Sequence, residues 1–332
     1  MRRWLPAVAG IGLSAVFVAL LLWQVDLGRV ADVLARAQLI LLPLALIGLA
    51  VDLVARAVRW RLLLAREPRP GHRETFRYLV IGYLANNLLP GRAGELVRAH
   101  LMGTRAGVGR TRALGSIVLE RGLDLASASL LGAAAGAAAG ADPAIIGVFA
   151  AVATGSCAAL AAAALLPHRL IRRTVDRLAI AFEHRPARAV LPRLAAFTHG
   201  FLDAASPRVV AQGFLLSVVA WVATAAVFGV VVAALGLTLS PLAVLAVAMA
   251  ANLGLAIPSA PAGVGPFEFA VVLMAASVGV DPGAALALGV VVHLATALPV
   301  SAAGAYELAQ LRWNLGRLRR LAGMTAGVPD GA

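Results

Sequence analysis

Residues 76–102, FRYLVIGYLANNLLPGRAGELVRAHLM, form an apolar stretch that Pro90-Gly91 interrupts. Arginines flank it on both sides, with four between residues 66 and 77 and five between residues 92 and 112. Arginine-rich segments stay on the cytoplasmic side of a membrane. A full crossing by the first half of this stretch would place five arginines on the outer side. We therefore expect 76–102 to be a re-entrant helical hairpin that enters and leaves on one side.

The composition of the whole chain is that of a protein dissolved in lipid. Of its 332 residues, 61% are hydrophobic and only 14% are charged, with a mean hydropathy of +0.88. A soluble domain is about half apolar and about a quarter charged. Because water could not solvate this much apolar surface, the chain is expected to be an all-α, polytopic transmembrane helix bundle, with one membrane domain over residues 1–310.

Six full-length apolar segments accompany the hairpin, at residues 4–24, 39–64, 113–140, 144–166, 209–236 and 284–306. Arginines concentrate in the loop 167–208 and in the basic tail 311–332, whereas the short connectors 141–143 and 281–283 hold one Asp each and no Arg. The positive-inside rule therefore predicts a multi-pass protein of the cell membrane. Both termini and the loop 167–208 are expected on the cytoplasmic side.

The basic charge does not indicate nucleic acid. The formal charge is +13, and all basic residues are arginines that lie between the apolar segments, where they orient helices and contact anionic lipid headgroups. Without lysine the chain has no phosphate-binding loop of the nucleotide type. The single cysteine, Cys157, excludes an internal disulfide and a multi-cysteine metal site. We expect no cofactor, no metal site, no nucleic-acid partner and no enzymatic activity.

A second broken region lies at residues 241–281. Its centre, IPSAPAGVGP (257–266), interrupts two apolar arms that are short for membrane spans. Proline and glycine end helices, so Pro258, Pro261, Gly263 and Gly265 are candidate turn or hinge residues, as are Pro90 and Gly94 in the first region. The segment is either a hairpin that dips from the outside or a pair of short spans, and its uncharged turn does not decide between them.

The two broken regions share an order of residues: Asn, Pro, Gly and Glu recur from Asn86 to Glu95 and from Asn252 to Glu268. Inverted repeats of this kind enclose a site near the midplane of many transporters, although glycine and proline could also recur by chance. Irregular backbone in a bilayer needs protein or water partners, so it normally lines a cavity. Each hairpin could direct a helix N-terminus at an anion, or could serve helix packing alone.

Ionisable residues within the apolar segments are the second functional signal. Each buried charge costs at least about 2.5–3.5 kcal/mol unless it faces the protein interior. Arg59 could lie at the cytoplasmic end and extend to the headgroups, and His293 favours a hydrogen-bonded interior histidine. The candidates to line a headgroup cavity are Asp52, Arg56, Asn87, Arg92, Glu95, Arg98, Glu120, Arg121, Asp124 and Glu268. The pairs Asp52–Arg56 and Arg121–Asp124 could instead be salt bridges that fix helix packing.

Three motifs carry a family resemblance: NNLLPGRAGELVRAHLM (86–102), SIVLERGLDL (116–125) and PSAPAGVGPFE (258–268). They resemble the flippase-like membrane family, which includes the membrane domain of the lysylphosphatidylglycerol synthase/flippase type, over about residues 5–310. The resemblance implies an all-helical domain that moves phospholipid or polyprenyl-linked lipid headgroups between leaflets. It matches Asn87, Pro90, Arg92, Gly94, Glu95, Arg98, Glu120, Arg121, Asp124, Pro261, Gly263, Gly265 and Glu268.

The chain departs from the family pattern in two respects. No soluble aminoacyl-transfer domain is expected, so lysyl transfer to lipid is not predicted. The usual Gly-Gly turn reads Pro261-Ala262-Gly263-Val264-Gly265, which leaves the geometry of this turn open.

Three classes of function are compatible with these features. In a lipid flippase, interior arginines would attract the phosphate of an anionic phospholipid or polyprenyl phosphate, and interior carboxylates would balance them. A non-catalytic accessory protein would use the Arg-rich loop 167–208 to dock a membrane glycosyltransferase or a lipid-modifying enzyme. A membrane-embedded enzyme could place a metal between Glu120 and Asp124, which are four residues apart.

Overall fold

The computed structural model describes residues 5–64, 70–89, 93–165, 167–181, 185–257 and 259–311, with side chains omitted at 5–9 and 178–193. Three candidate residues, Pro90, Arg92 and Pro258, lie outside the described residues, as does the tail from residue 312 onward. Every regular element in the described ranges is helical. This confirms the all-α expectation.

The described residues form thirteen α-helices, which we number in chain order. Their bounds are α1 Leu5–Gln24, α2 Leu27–Ala35, α3 Leu42–Leu63, α4 His72–Leu88, α5 Ala93–Arg105, α6 Arg110–Ala138, α7 Pro143–Leu165, α8 His168–Ala181, α9 Arg185–Ala204, α10 Pro207–Ala234, α11 Pro241–Gly254, α12 Pro266–Ser277 and α13 Pro282–Gln310.

Several helices have the length and the apolar composition needed to cross a membrane. Four qualify by length and composition, at Leu39–Leu63, Pro143–Leu165, Pro207–Ala234 and Pro282–Gln310. They agree within a few residues with four of the predicted segments. The fifth candidate is the pair α1–α2, which bends by 85°. Helix α6 covers the sixth predicted segment, but it contains Glu120, Arg121 and Asp124 and does not qualify on composition; its crossing stays a prediction.

Residues 76–102 fold into the predicted helical hairpin of α4 and α5. The two helices approach so closely that a Cβ on Gly94 would lie 1.9 Å from the carbonyl oxygen of Gly82. The Asn86 Oδ1 accepts a hydrogen bond of 2.8 Å from the Gly94 N–H, which caps the start of α5. Glycine at position 94 and asparagine at position 86 therefore close this hairpin.

The second broken region is also a helical hairpin, formed by α11 and α12. Its arms meet at Gly254, where a Cβ would lie 2.5 Å from the Pro266 carbonyl oxygen. The turn contains a short 3-10 segment, Pro261–Gly263, in which Ala262 has a φ of 61°. Left-handed backbone strains a residue with a Cβ. The turn therefore holds Ala262 in a left-handed conformation that glycine adopts more readily.

Helix α1 holds the second hairpin through one serine. The Ser14 hydroxyl donates to the Val264 carbonyl at 2.7 Å and accepts from the Ala260 N–H at 2.8 Å. Both groups belong to irregular backbone that has no helical partner, so this side chain satisfies it.

The two hairpins resemble each other and meet inside the bundle. In each, a helical glycine contacts the backbone of the second arm, and a polar side chain binds an N–H at the start of that arm. Helix α4 of the first hairpin packs against the 3-10 turn of the second and against α13. The inverted relation between the two hairpins stays a prediction.

Candidate functional site

A cavity of about 400 Å³ lies between the two hairpins. The first hairpin contributes Asn86 and Asn87, and the second contributes Asn252, Ser259 and Gly263. Helices α3, α6, α10 and α13 complete the wall. The cavity therefore lies where the sequence predicted that broken backbone would enclose a polar space.

One wall of the cavity is charged and belongs to α3 and α6. The Arg56 Nε donates to Asp52 Oδ1 at 2.7 Å, and its Nη1 lies 3.6 Å from Asp124 Oδ1. The Arg121 Nη1 lies 3.2 Å from Asp124 Oδ2. Thr224 of α10 donates to the same Asp52 oxygen at 3.2 Å. These four ionisable side chains all line the cavity.

A second layer of ion pairs lies behind this wall and is sealed from solvent. The Arg98 Nη2 donates to Glu120 Oε2 at 2.8 Å, and Arg59 contacts both Glu120 at 3.4 Å and Asp124 at 2.6 Å. Arg59 is 0% exposed. The suggestion that Arg59 extends to the headgroups is therefore wrong, because its guanidinium binds carboxylates of α6 inside the bundle.

Glu95 connects the first hairpin to the charged wall. Its Oε1 lies 3.0 Å from the Nε of Arg121. Among the described residues the network now contains four arginines and four carboxylates, so its charges balance. Its members are Asp52, Arg56, Arg59, Glu95, Arg98, Glu120, Arg121 and Asp124.

Two tryptophans support the arginines of the network. The Arg56 guanidinium lies 4.4 Å from the ring centre of Trp221, and that of Arg98 lies 4.6 Å from the ring centre of Trp60. Stacking on an aromatic face stabilises a cation away from water. The indole N–H groups of both rings bind serines of α6, so the rings cannot turn freely.

The opposite wall carries a second ionisable pair, Glu268 of α12 and His293 of α13. The His293 Nδ1 lies 2.5 Å from Glu268 Oε1, and the Gly265 N–H donates to Glu268 Oε2 at 2.8 Å. The imidazole packs against Phe267 and lines the cavity. The expected hydrogen-bonded interior histidine is confirmed, and it also faces the cavity.

At the start of the second helix of each hairpin, one backbone N–H group is already bound by a side chain. The Gly94 N–H binds Asn86, and the Gly265 N–H binds Glu268. Each start is therefore capped by a side chain of its own hairpin, and α12 already holds a carboxylate there.

The structure brings most of the predicted residues to one place. Asp52, Arg56, Asn87, Arg121 and Asp124 line the cavity, while Glu95, Arg98, Glu120 and Glu268 lie one layer behind it. The turn residues Gly94, Pro261, Gly263 and Gly265 lie in the hairpins that enclose it.

Sequence reasoning missed several polar residues of the wall. These residues carried no local signal, because single polar residues are common in apolar helices. They are Tyr83, Trp221, Thr224, Asn252 and Thr296.

The described part of the chain contains no set of ligands that supports the hypothesis of a metal between Glu120 and Asp124. No three His, Cys, Asp or Glu side chains cluster there in a way that could hold a metal ion. Glu120 and Asp124, which are four residues apart on one helix, both contact arginines.

These features define a class: an all-helical membrane protein in which two broken hairpins close on a charge-lined cavity. Residues 7–304 match the family described as the lysylphosphatidylglycerol synthase TM region. The chain belongs to that family, as the three sequence motifs indicated.

A curated protein also shows similarity over part of the chain. The Glycosyltransferase AglD of Haloferax volcanii is 31% identical over 129 residues. These residues are 38% of this chain but only 20% of the relative. The similarity thus concerns a minor part of a longer protein.

Proposed function

We propose that this protein binds the headgroup of an anionic phospholipid or a polyprenyl phosphate in the cavity and moves it between the leaflets of the cell membrane. The single observation that carries the proposal is a charge-lined cavity between two broken hairpins in a protein that is otherwise dissolved in lipid. A headgroup crossing a bilayer needs such a polar space, because hydrocarbon cannot solvate its charge.

The charged wall suits a phosphate because its arginines are already desolvated and oriented. Arg56 and Arg121 reach the cavity. Carboxylates lie near Nε and Nη1 of Arg56 and near all three nitrogens of Arg121, so the Nη2 of Arg56 has no carboxylate partner among the described residues. A phosphate oxygen can accept from guanidinium N–H groups that the carboxylates do not use. The protein needs no catalytic step for this role, and we propose that it is not an enzyme.

The proposed orientation places both termini and the loop 167–208 in the cytoplasm, on the basis of arginine distribution. The basic segment 167–208 would then lie against the leaflet that is rich in anionic lipid.

Leaflet exchange of fluorescent phosphatidylglycerol in vesicles tests the proposal. Vesicles with the protein should exchange the label faster than protein-free vesicles, and Arg56→Gln should slow exchange at least about tenfold, which corresponds to the loss of one charge-assisted hydrogen bond. Arg29→Gln is the matched control, because Arg29 forms an exposed pair with Asp281 outside the cavity. Exchange equal to that of empty vesicles would refute the proposal for this lipid.

A second candidate function is a non-catalytic accessory of a membrane glycosyltransferase or a lipid-modifying enzyme. The similarity to part of a protein named as a glycosyltransferase favours it. The Arg-rich helices α8 and α9 would be the docking surface. Co-purification of such an enzyme with the wild type, but not with a variant in which Arg169, Arg173 and Arg177 are changed to Gln, would support it.

A further inference from the structure

Two ionisable groups, one facing the cavity and one directly behind it, differ from the rest. Glu268 and His293 form a pair of their own on α12 and α13, with no ion pair or hydrogen bond to the described residues of the arginine–carboxylate network. Their side chains are only 10% and 13% exposed. A buried ionisable pair at a transport site calls for a role beyond helix packing.

The hydrogen bonds of Glu268 assign the proton on the imidazole. The Oε2 of Glu268 accepts a hydrogen bond from the Gly265 N–H, and its Oε1 contacts the Nδ1 of His293. Because an ionised carboxylate can only accept hydrogen bonds, the ring proton of His293 is assigned to Nδ1. The Nε2 then carries a lone pair in the neutral ring. It has no hydrogen-bond partner among the described residues.

The geometry directs this Nε2 at the cavity. His293 lines the cavity, whereas Glu268, which binds the other edge of the ring, does not. A neutral Nε2 would repel a phosphate oxygen, because both atoms are acceptors. A protonated Nε2 would donate to it.

The charge balance around the cavity also favours a protonated His293 imidazole when an anion is bound. Among the described residues, the charged or titratable groups that face it come from α3, α4, α6 and α13, whereas α10, α11 and α12 contribute only neutral side chains. These groups are Asp52, Arg56, Tyr83, Arg121, Asp124 and His293, and Glu268 lies directly behind His293. Among the described residues, the network of four arginines and four carboxylates is neutral, so Glu268 adds one negative charge while the imidazole is neutral.

We propose that His293 is an anion-binding and proton-binding site, at which one proton is taken up when a phosphate group enters the cavity. A proton from the buffered solvent adds to the Nε2 lone pair, no bond within the protein or the lipid breaks, and the imidazolium then bridges Glu268 and the phosphate. Glu268 acts as a positioning residue. Proton uptake offsets the added negative charge, which would otherwise be enclosed in a site of low dielectric. The inference rests on the proposed function and identifies the proton as the ion that is taken up together with the headgroup.

The test is calorimetric titration of the full chain in detergent with short-chain phosphatidylglycerol between pH 6 and pH 8. Titration in two buffers of different ionisation enthalpy counts the protons exchanged. We expect lipid binding to be accompanied by proton uptake, measured as a binding enthalpy that differs between the two buffers. The dissociation constant should rise by up to about tenfold per pH unit where a full proton is taken up.

Variants separate this role from a structural one. His293→Asn keeps a group that can reach Glu268 but cannot take up a proton, so its lipid binding should show no proton uptake. His168→Asn is the matched control, because His168 contacts the Ala163 carbonyl away from the cavity; its uptake should equal that of the wild type. The wild-type proton count remains decisive even if His293→Asn fails to fold.

The outcomes distinguish this inference from the proposed function. Lipid binding that is independent of pH and without proton uptake would overturn the inference and leave the proposed function intact. Uptake that persists in folded His293→Asn would also overturn it. Inorganic sulfate, which stays a dianion over this pH range, is titrated in parallel: uptake with sulfate alone supports the anion site but assigns it to a free ion. Absence of lipid and sulfate binding at every pH would overturn both proposals.

Discussion

Glu120 lies at the centre of the buried charge network, because Arg59, Arg98 and Arg121 all direct guanidinium nitrogens at it. It is 0% exposed, so no water replaces a lost partner. Buried ion pairs add little net stability, yet removal of one partner leaves an uncompensated charge. At the scale of single residues, the balance of charges therefore decides which substitutions the protein tolerates.

Glu120→Gln should destabilise the protein by about 3–5 kcal/mol, because Arg59 and Arg98 lose their shared carboxylate. The measurement is equilibrium unfolding in mixed micelles. Adding Arg98→Met to Glu120→Gln should recover part of the loss, since it restores the balance. The control is Asp32→Asn on the exposed surface of α2, which should change stability by less than about 0.5 kcal/mol. A small effect of Glu120→Gln would contradict the buried network.

At the scale of elements, the hairpins depend on backbone contacts that only particular residues permit. The α4–α5 hairpin needs glycine at position 94, since any Cβ would collide with the Gly82 carbonyl. The α11–α12 hairpin needs a partner for its irregular turn, which α1 supplies through Ser14. Neither contact is flexible, because both involve backbone atoms.

Gly94→Ala should force the arms of the first hairpin apart and cost about 1–3 kcal/mol or more. Headgroup exchange should fall with it, because Asn86 and Asn87 line the cavity from this hairpin. The matched control is Gly229→Ala in α10, where a Cβ meets nothing within 4 Å. Thermal unfolding of the two variants side by side measures the difference, and equal melting temperatures would refute the close approach.

Ser14→Ala should loosen the second hairpin from α1. Two hydrogen bonds to irregular backbone are lost, and each unpaired group costs about 1–3 kcal/mol. Ser156→Ala is the control, because the Ser156 hydroxyl only binds carbonyls of its own helix. Hydrogen exchange of the segment 259–265 should rise in Ser14→Ala alone. Unchanged protection there would show that α1 does not hold the turn.

At the scale of the whole molecule, we expect the orientation of the helices in the membrane to follow from where the arginines lie. Thr174 on α8 belongs to the predicted cytoplasmic loop, and Ala144 at the start of α7 belongs to the predicted outer surface. Both are exposed. Their opposite placement can be measured without knowledge of the substrate.

We predict that a membrane-impermeant maleimide added to intact cells will label Ala144→Cys but not Thr174→Cys. Both substitutions are made in a Cys157→Ser background, because Cys157 is the only native thiol. Permeabilised cells serve as the control, in which both positions should react. Labelling of Thr174→Cys in intact cells would show that the loop lies outside the cell and would contradict the proposed topology.

The sequence by itself determined the class of membrane protein, the positions at which its helices are interrupted and one helix face of the site. Its apolar content requires lipid, the prolines and glycines near positions 90 and 261 cannot continue a helix, and helical periodicity alone aligns Asp52, Arg56 and Arg59. Each of these is a local property of the chain.

Only the tertiary structure decided which charges meet. Arg59 binds Asp124 and Ser217, which are 65 and 158 residues away, and Glu268 binds a histidine on the next helix rather than an arginine. Local periodicity gives the face on which a side chain lies, but the packing of helices distant in sequence decides which face lies opposite. The pairing of buried charges, and the free edge of His293 that follows from it, therefore required the assembled bundle.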